Sequence, residues 1–250
     1  MNSGNRSRDA LAPRRPAADV LLWRQGATVA LPFDDRADAG RQLAARLRHL
    51  KDENPLVLAI PRGGVPVGFE VARALKAPLD LVLVRKIGVP FQPELALGAV
   101  VDGEHAETVL NEELVTSIDL PDDFIRKETE RELAEIERRR KAYLGDRARP
   151  VIAGRTAIVV DDGIATGATV RAALRAIRRS APRRLILAIP VAPPDTISRL
   201  RPEVDELVCL EAPKLFFAIG QFYLDFSQLT DDEVTALLKQ SQDVEPSRPG

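Results

Sequence analysis

The chain has 250 residues, of which 45% are hydrophobic, and a formal net charge of -1. That length and apolar content suit one large core with decorations, and so small a net charge supplies no overall field to attract nucleic acid or an anionic membrane. The lone Cys209 rules out an internal disulfide or a cysteine zinc cluster, and no apolar run approaches the ~20 residues of a membrane helix. Leu207, Val208 and Leu210 around Cys209 point to an inert core thiol. The first residues are polar and lack the apolar centre of a secretory signal, so a cytoplasmic protein is expected.

Residues 1–18 are rich in Arg, Ser, Ala and Pro and read as a disordered tail, as do residues 241–250. One domain is expected between them, over residues 19–240. Asp38 can cap a helix whose Leu43, Leu47 and Leu50 share a face. Leu56–Ile60 is a short buried strand, broken by Pro61-Arg62-Gly63-Gly64. Pro66 suits a first helical turn, and that helix runs to about Leu75. Leu79–Val84 reads as a second strand, and the Asp102-Gly103 turn between Ala99–Asp102 and Glu107–Leu110 reads as a hairpin. Asp122–Leu144 is a long charged helix with Ile125, Thr129, Leu133, Ile136 and Leu144 as its less polar stripe. Thr156–Val160 is a strand. Val170, Ala173, Leu174 and Ile177 follow helical spacing. Leu185–Ile189 and Val204–Leu210 supply two more strands, and Asp231–Gln240 a closing helix. Strand and helix alternate, which predicts an α/β, doubly wound, mostly parallel sheet with ligands at the carboxyl ends of its strands.

The run Val159-Val160-Asp161-Asp162-Gly163-Ile164-Ala165-Thr166-Gly167-Ala168-Thr169 stands at one such end. Gly163 and Gly167 allow backbone to approach a ligand, while Ala165 and Ala168 keep side chains clear. N–H groups of the turn and of the helix start favour an anion, and Thr166 and Thr169 add neutral donors. Two carboxylates beside a bare phosphate would repel it. They make sense as acceptors for sugar hydroxyls or as holders of a cation further out. Phosphate at one end and vicinal hydroxyls at the other describe ribose 5-phosphate. A Walker A loop requires Lys where Ala168 stands, and G-x-G-x-x-G is absent. The competing reading is an ordinary strand-to-helix turn with Asp caps.

This run resembles the phosphoribosyl pyrophosphate (PRPP) motif of type I phosphoribosyltransferases. The likeness extends from about Phe33 to Val234 and is greatest to the bacterial group labelled predicted phosphoribosyltransferases. It implies a flap hairpin and a small C-terminal hood at about 191–228. It also implies that Asp161 and Asp162 hold the ribose hydroxyls, and that Gly163, Ile164, Ala165, Thr166, Gly167, Ala168 and Thr169 hold the 5′-phosphate. In the family, the position of Pro61-Arg62-Gly63-Gly64 carries the pyrophosphate loop, often with a non-proline cis peptide. Arg62 then joins Asp161 and Asp162 as a catalytic candidate, and Arg62, Gly63, Gly64 and Lys86 receive pyrophosphate, Arg62 as a guanidinium suited to phosphate oxygens. Gly88–Gly103, with Pro90, Pro93 and Gly98, resembles the flap that closes over PRPP and excludes water. Glu94 is either functional or a solvated flap carboxylate.

Lys214–Phe226 holds four Phe and one Tyr in an aromatic-poor chain. Phe217-Ala218-Ile219-Gly220 followed by Asp225 resembles the hood of purine salvage members. Phe217 is the base-stacking candidate and Asp225 the hood acid, although one extra residue separates Gly220 from Asp225. Phe222 and Tyr223 read as packing. His49 and His105 read as surface residues. The resemblance implies Mg²⁺ carried by the substrate, with Asp161, Asp162 and Asp225 as possible contacts, and no all-protein metal site. The implied reaction moves ribose 5-phosphate from PRPP to a nitrogen acceptor such as a nucleobase. Partners are small molecules and a second copy of the chain, as is common in the family, with no membrane or nucleic acid. Ala165 stands where some purine salvage members carry an acid that helps deprotonate the base. That departure and the basic N-terminal tail keep open a PRPP-binding regulatory protein without turnover; a third reading is a nucleotide-sugar kinase-like or general phosphate-binding protein.

Overall fold

A computed structural model describes residues 21–22, 32–89, 92–102, 107–118, 120–121 and 123–242. The expected tail at 1–18 and all but Ser241 and Gln242 of the expected tail at 241–250 lie outside the described residues, as do Pro90, Gly103, His105, Asp122 and the side chain of Glu94. The central sheet contains β1 (Leu21–Leu22), β2 (Pro55–Ala59), β3 (Leu79–Leu81), β7 (Thr156–Val160), β8 (Arg184–Val191) and β9 (Glu206–Glu211) in the order β1-β9-β8-β7-β2-β3. Every pairing in it is parallel. The helices are α1 (Arg36–Arg46), α2 (Gly64–Leu75), α3 (Glu112–Ser117), α4 (Phe124–Leu144), α5 (Ala168–Arg179), α6 (Pro194–Leu200) and α7 (Asp231–Gln242).

Strand periodicity explains the layering. Successive residues of β7 face opposite ways, so Ile158 and Val160 enter one core with side chains of α1, α2 and α7, while Ala157 and Val159 enter the other with side chains of α5 and α6. Both faces are apolar, so the strand reads as a continuous hydrophobic run, as buried parallel strands do. Cys209 is fully buried in the second core, and that burial pushes its thiol up to about 12.

Most elements fall within two residues of the sequence reading, and the differences that matter are these. The cap of α1 is Asp35, whose Oδ1 accepts the Asp38 N–H at 2.6 Å; Asp38 lies in the first turn. The stretch read as one strand over Leu79–Val84 divides, because β3 ends at Leu81 and β4 (Val84–Val89) begins a second sheet. There β4 pairs antiparallel with β5 (Gln92–Val101), which pairs with β6 (Glu107–Leu110), so the flap is three-stranded rather than a single hairpin. The span 191–228 read as the hood is interrupted by the central sheet: it begins on the last residue of β8 and contains α6 and the whole of β9. Finally, α7 extends through Gln242, past the expected stop at 240.

The long helix α4 does more than present charge to water. Glu132 and Arg140 are buried on it. Arg85 of β4 donates from Nε to Glu132 Oε2 at 2.6 Å. Arg140 bridges Asp80 of β3 (3.1 Å) and Asp102 at the end of β5 (3.0 Å), and Arg149 reaches Asp102 at 2.8 Å. These pairs fix the flap base and the sheet edge to one helix. Removing one member strands a buried charge, which costs about 3–5 kcal/mol. Arg140→Met should therefore lower unfolding free energy by about that amount in urea titrations; a change below ~1 kcal/mol would mean that the cluster is not a structural clamp.

Candidate functional site

Strands β2 and β7 are neighbours in register, with Ala59 opposite Val160. The loops that leave their carboxyl ends therefore meet. The first is Pro61-Arg62-Gly63-Gly64, entered through a cis Pro61–Arg62 peptide. The second begins at Asp161. Contact between them is close enough to demand glycine: a Cβ on Gly63 would lie 2.0 Å from Asp162 Oδ2, and one on Gly64 would lie 2.7 Å from the Val160 carbonyl oxygen.

The two acids differ in their surroundings. Asp162 is 7% exposed and forms an ion pair with Arg36 of α1, Nε to Oδ2 at 2.8 Å. Its carbonyl oxygen accepts the Tyr223 hydroxyl at 2.5 Å. Asp161 Oδ1 accepts the Asp162 N–H at 2.9 Å. Burial raises both carboxyls. The charge of Asp162 raises Asp161 further, while Arg36 partly counteracts burial at Asp162. Burial, and then the charge of Asp162, also raise the Tyr223 phenol.

The turn that follows is anchored from behind. Ile164 is 2% exposed, packs into the core of α5 and α6, and its N–H donates to the Val191 carbonyl at 3.0 Å. That residue anchors the loop, and its N–H is already engaged, unlike the role read from sequence. Thr196 of α6 donates its hydroxyl to the Ala165 carbonyl at 2.7 Å. Gly167 takes a left-handed φ of 81° at the N-cap of α5 and contributes no side-chain cap. Ala165, Thr166 and Ala168 are exposed at this helix start, where backbone N–H groups lack intrahelical partners. Unpaired N–H donors at the positive end of a helix dipole suit a phosphate dianion.

The remaining candidates take varied places. Arg62 is exposed, with Nη1 3.8 Å from Asp231 Oδ1 at the start of α7. Asp231 also accepts the Tyr143 hydroxyl at 2.6 Å, and burial followed by that bond pushes Tyr143 up to about 12. Lys86 is exposed within β4. Phe217 is 85% exposed, whereas Phe222 and Tyr223 are buried. Asp225 is exposed; its carboxylate accepts the Ser227 N–H at 2.9 Å, which holds its pKa down. His49 is exposed, as expected, and contacts Glu206 at 3.0 Å. Sequence reading missed Arg36, Tyr223 and Thr196 as parts of the site. Each lies far along the chain from its partner, and only the aromatic run around Tyr223 gave a signal.

An all-parallel sheet covered on both faces, with a glycine loop and a helix start converging at adjacent strand carboxyl ends, defines a doubly wound α/β protein, and in such folds ligands sit at those strand ends. The phosphoribosyl transferase domain model matches residues 104–227. Two Mycobacterium tuberculosis proteins, from strains CDC 1551 / Oshkosh and H37Rv, are each 50% identical over 206 residues, covering 82% of this chain; both are provisionally named phosphoribosyl transferases. The chain spans 46% of their length. The crystal structure of TT1426 from Thermus thermophilus superposes with a TM-score of 0.74 at 42% identity, covering 84% of this chain and 99% of that one. The chain belongs to the type I phosphoribosyltransferase family.

The acid pair has a thermodynamic signature. A carboxyl whose folded pKa is raised holds its proton longer in the folded state, so folding stability falls as pH rises from the unfolded value, near 4, through the raised one. Asp161→Asn should thus raise the melting temperature of the ligand-free protein at pH 7 and lose that advantage as the pH approaches 4. Equal melting of the two proteins at pH 7 would mean that Asp161 carries no burial strain.

Proposed function

We propose that this pocket binds PRPP and transfers its ribose 5-phosphate to a nitrogen nucleophile, such as a nucleobase, with release of pyrophosphate. The observation that carries the reading is the convergence at paired strand ends of an acid pair, a glycine loop with Arg62, and an α5 start capped only by Gly167. The 5′-phosphate would sit against the N–H groups of Thr166, Gly167, Ala168 and Thr169, with Gly163, Ile164 and Ala165 shaping the turn. Asp161 and Asp162 would accept hydrogen bonds from the ribose hydroxyls. Arg62 would face the pyrophosphate together with the backbone of Gly63 and Gly64, and Lys86 would approach from the flap.

The reaction passes through an oxocarbenium-like transition state while charge builds on the leaving pyrophosphate, so catalysis is mainly electrostatic. Arg62 counters that charge, and the flap closes water out of the site. Among the described residues no group of three or more His, Cys, Asp or Glu side chains could hold a metal ion. One acid of the pair is already matched by Arg36. This donor set fits Mg²⁺ that arrives on the substrate, since Mg²⁺ favours phosphates with few carboxylates. Bound in that way, it would neutralise part of the pyrophosphate charge. Asp161 and Asp162 would stand nearest it on the ribose side, and Asp225 on the hood side. Phe217 would stack on the acceptor, which its exposure permits. Nucleotide salvage, a cytoplasmic setting and a homo-oligomeric state accompany this reading.

A second reading is a PRPP-binding regulatory protein without turnover. It is favoured by Ala165 in place of an acid, and by the internal partners that Arg62 and Asp162 already have. Purified protein with PRPP, Mg²⁺ and a panel of nucleobases separates the two. Pyrophosphate release with one acceptor supports the transferase, and PRPP binding without release across the panel supports the sensor. In either case the double substitution Asp161→Asn with Asp162→Asn should weaken PRPP binding by at least about tenfold, on the scale of losing hydrogen bonds to charged groups. Unchanged PRPP affinity in that folded variant would remove the acid pair from the site.

A further inference from the structure

Arg36 opens α1, and its guanidinium has three contacts. Nε donates to Asp162 Oδ2 at 2.8 Å, Nη1 donates to the Ser227 carbonyl oxygen at 2.9 Å, and Cζ lies 3.9 Å from the centroid of the Phe226 ring. The side chain is 11% exposed. A guanidinium is planar, with its donors fixed in a fork and its face free to stack. One rigid group therefore holds a carboxylate of the acid pair along one edge, hood backbone along another, and a hood ring against its face.

The backbone reinforces the same junction. Phe33 N–H donates to the Phe222 carbonyl at 2.8 Å, Leu224 N–H to the Phe33 carbonyl at 2.8 Å, and Asp225 N–H to the Asp34 carbonyl at 2.9 Å. The rings of Phe33 and Tyr223 lie 5.4 Å apart, and those of Tyr223 and Phe226 lie 5.0 Å apart. Tyr223 also touches the Asp162 backbone from the hood side. The hood segment 222–227 thus meets Asp162 directly through Tyr223 and indirectly through Arg36, which grips the carboxylate and holds Ser227 and Phe226.

We propose that Arg36 is a positioning residue that couples the two ends of the pocket: it aims the Asp162 carboxylate at the sugar hydroxyls and makes the placement of segment 222–227 respond to what that carboxylate binds. This inference rests on the PRPP reading above. An ionised carboxylate offers about four lone-pair sites. Asp162 can keep the guanidinium while it accepts a hydroxyl, and each new bond to it alters the grip on Arg36. Through Ser227 and Phe226 that alteration reaches the segment beside the acceptor-facing hood, so the donor sugar prepares the acceptor end.

The test compares wild type, Arg36→Lys and Arg36→Ala by calorimetric titration with PRPP and Mg²⁺, and by amide hydrogen exchange with and without PRPP. In wild type, PRPP should slow exchange both at 161–169 and at 222–229. In Arg36→Ala, PRPP Kd should rise about tenfold or more, as for loss of a charged hydrogen bond, with protection kept at 161–169 and lost at 222–229. Arg36→Lys restores charge without the planar fork, so it should recover part of the affinity but not the hood protection. A second variant guards against misfolding of Arg36→Ala: Phe226→Leu keeps the ion pair, and should also lose PRPP-induced protection at 222–229. Arg36→Ala with wild-type affinity, or with hood protection intact, overturns the coupling and leaves the PRPP reading standing. A wild type that does not bind PRPP overturns both.

Discussion

Two adjacent carboxylates at the end of one buried strand set the terms for this molecule. Taking them out of water is costly, and their mutual repulsion adds to the cost. The structure offsets part of that cost with a single guanidinium, Arg36 on Asp162, and leaves Asp161 with a neighbouring N–H and a raised pKa. The rest of the pocket follows from this compromise. The glycine loop presses against Asp162 closely enough to exclude any side chain at Gly63, and Tyr223 covers the Asp162 backbone. Buried acids kept poised in a protein are a familiar mark of a functional site, because stability alone would not retain them.

Around that pair, rigid and open parts of the pocket are cleanly divided. Ile164 is fastened to β8 and to the core, and Thr196 fixes the Ala165 carbonyl. Beyond these anchors, Ala165, Thr166 and Ala168 face outward at the start of α5. The flap is held at its base by Arg85 on Glu132 and by the Arg140 and Arg149 bridges to Asp102. The hood is tied to the chain segment before α1 rather than to the sheet alone.

Much of this was legible in the sequence because it is local. Strand β7, the acid pair, the small-residue turn and the amphipathic α5 follow one another within a short span, and each has its own pattern. The parallel order of strand and helix was readable for the same reason. What could not be read involves distance or choice. Arg36 lies 126 residues from Asp162, and an Arg at the start of a helix looks like any solvated charge. Glu132 and Arg140 look like surface residues of a charged helix until their partners on β3, β4 and β5 are placed. Asp35 and Asp38 are equally good caps by residue type; Asp35 accepts a backbone N–H because the chain before it is docked on Phe222 and Tyr223. The run Leu79–Val84 is apolar for most of its length, and nothing in it marks where the chain leaves one sheet for another.

The register of β2 on β7 carries one last implication. The two halves of the site are separated in sequence by residues 65–160, and they face each other only because Ala59 pairs with Val160. No fragment holding one strand without the other can bring these loops together, and contacts this remote in sequence slow folding. A small molecule that bridges both loops would act as a staple across the chain, favouring the native state by mass action in proportion to its saturation of the site. Occupancy of the site and integrity of the domain would then be read out by one and the same melting transition.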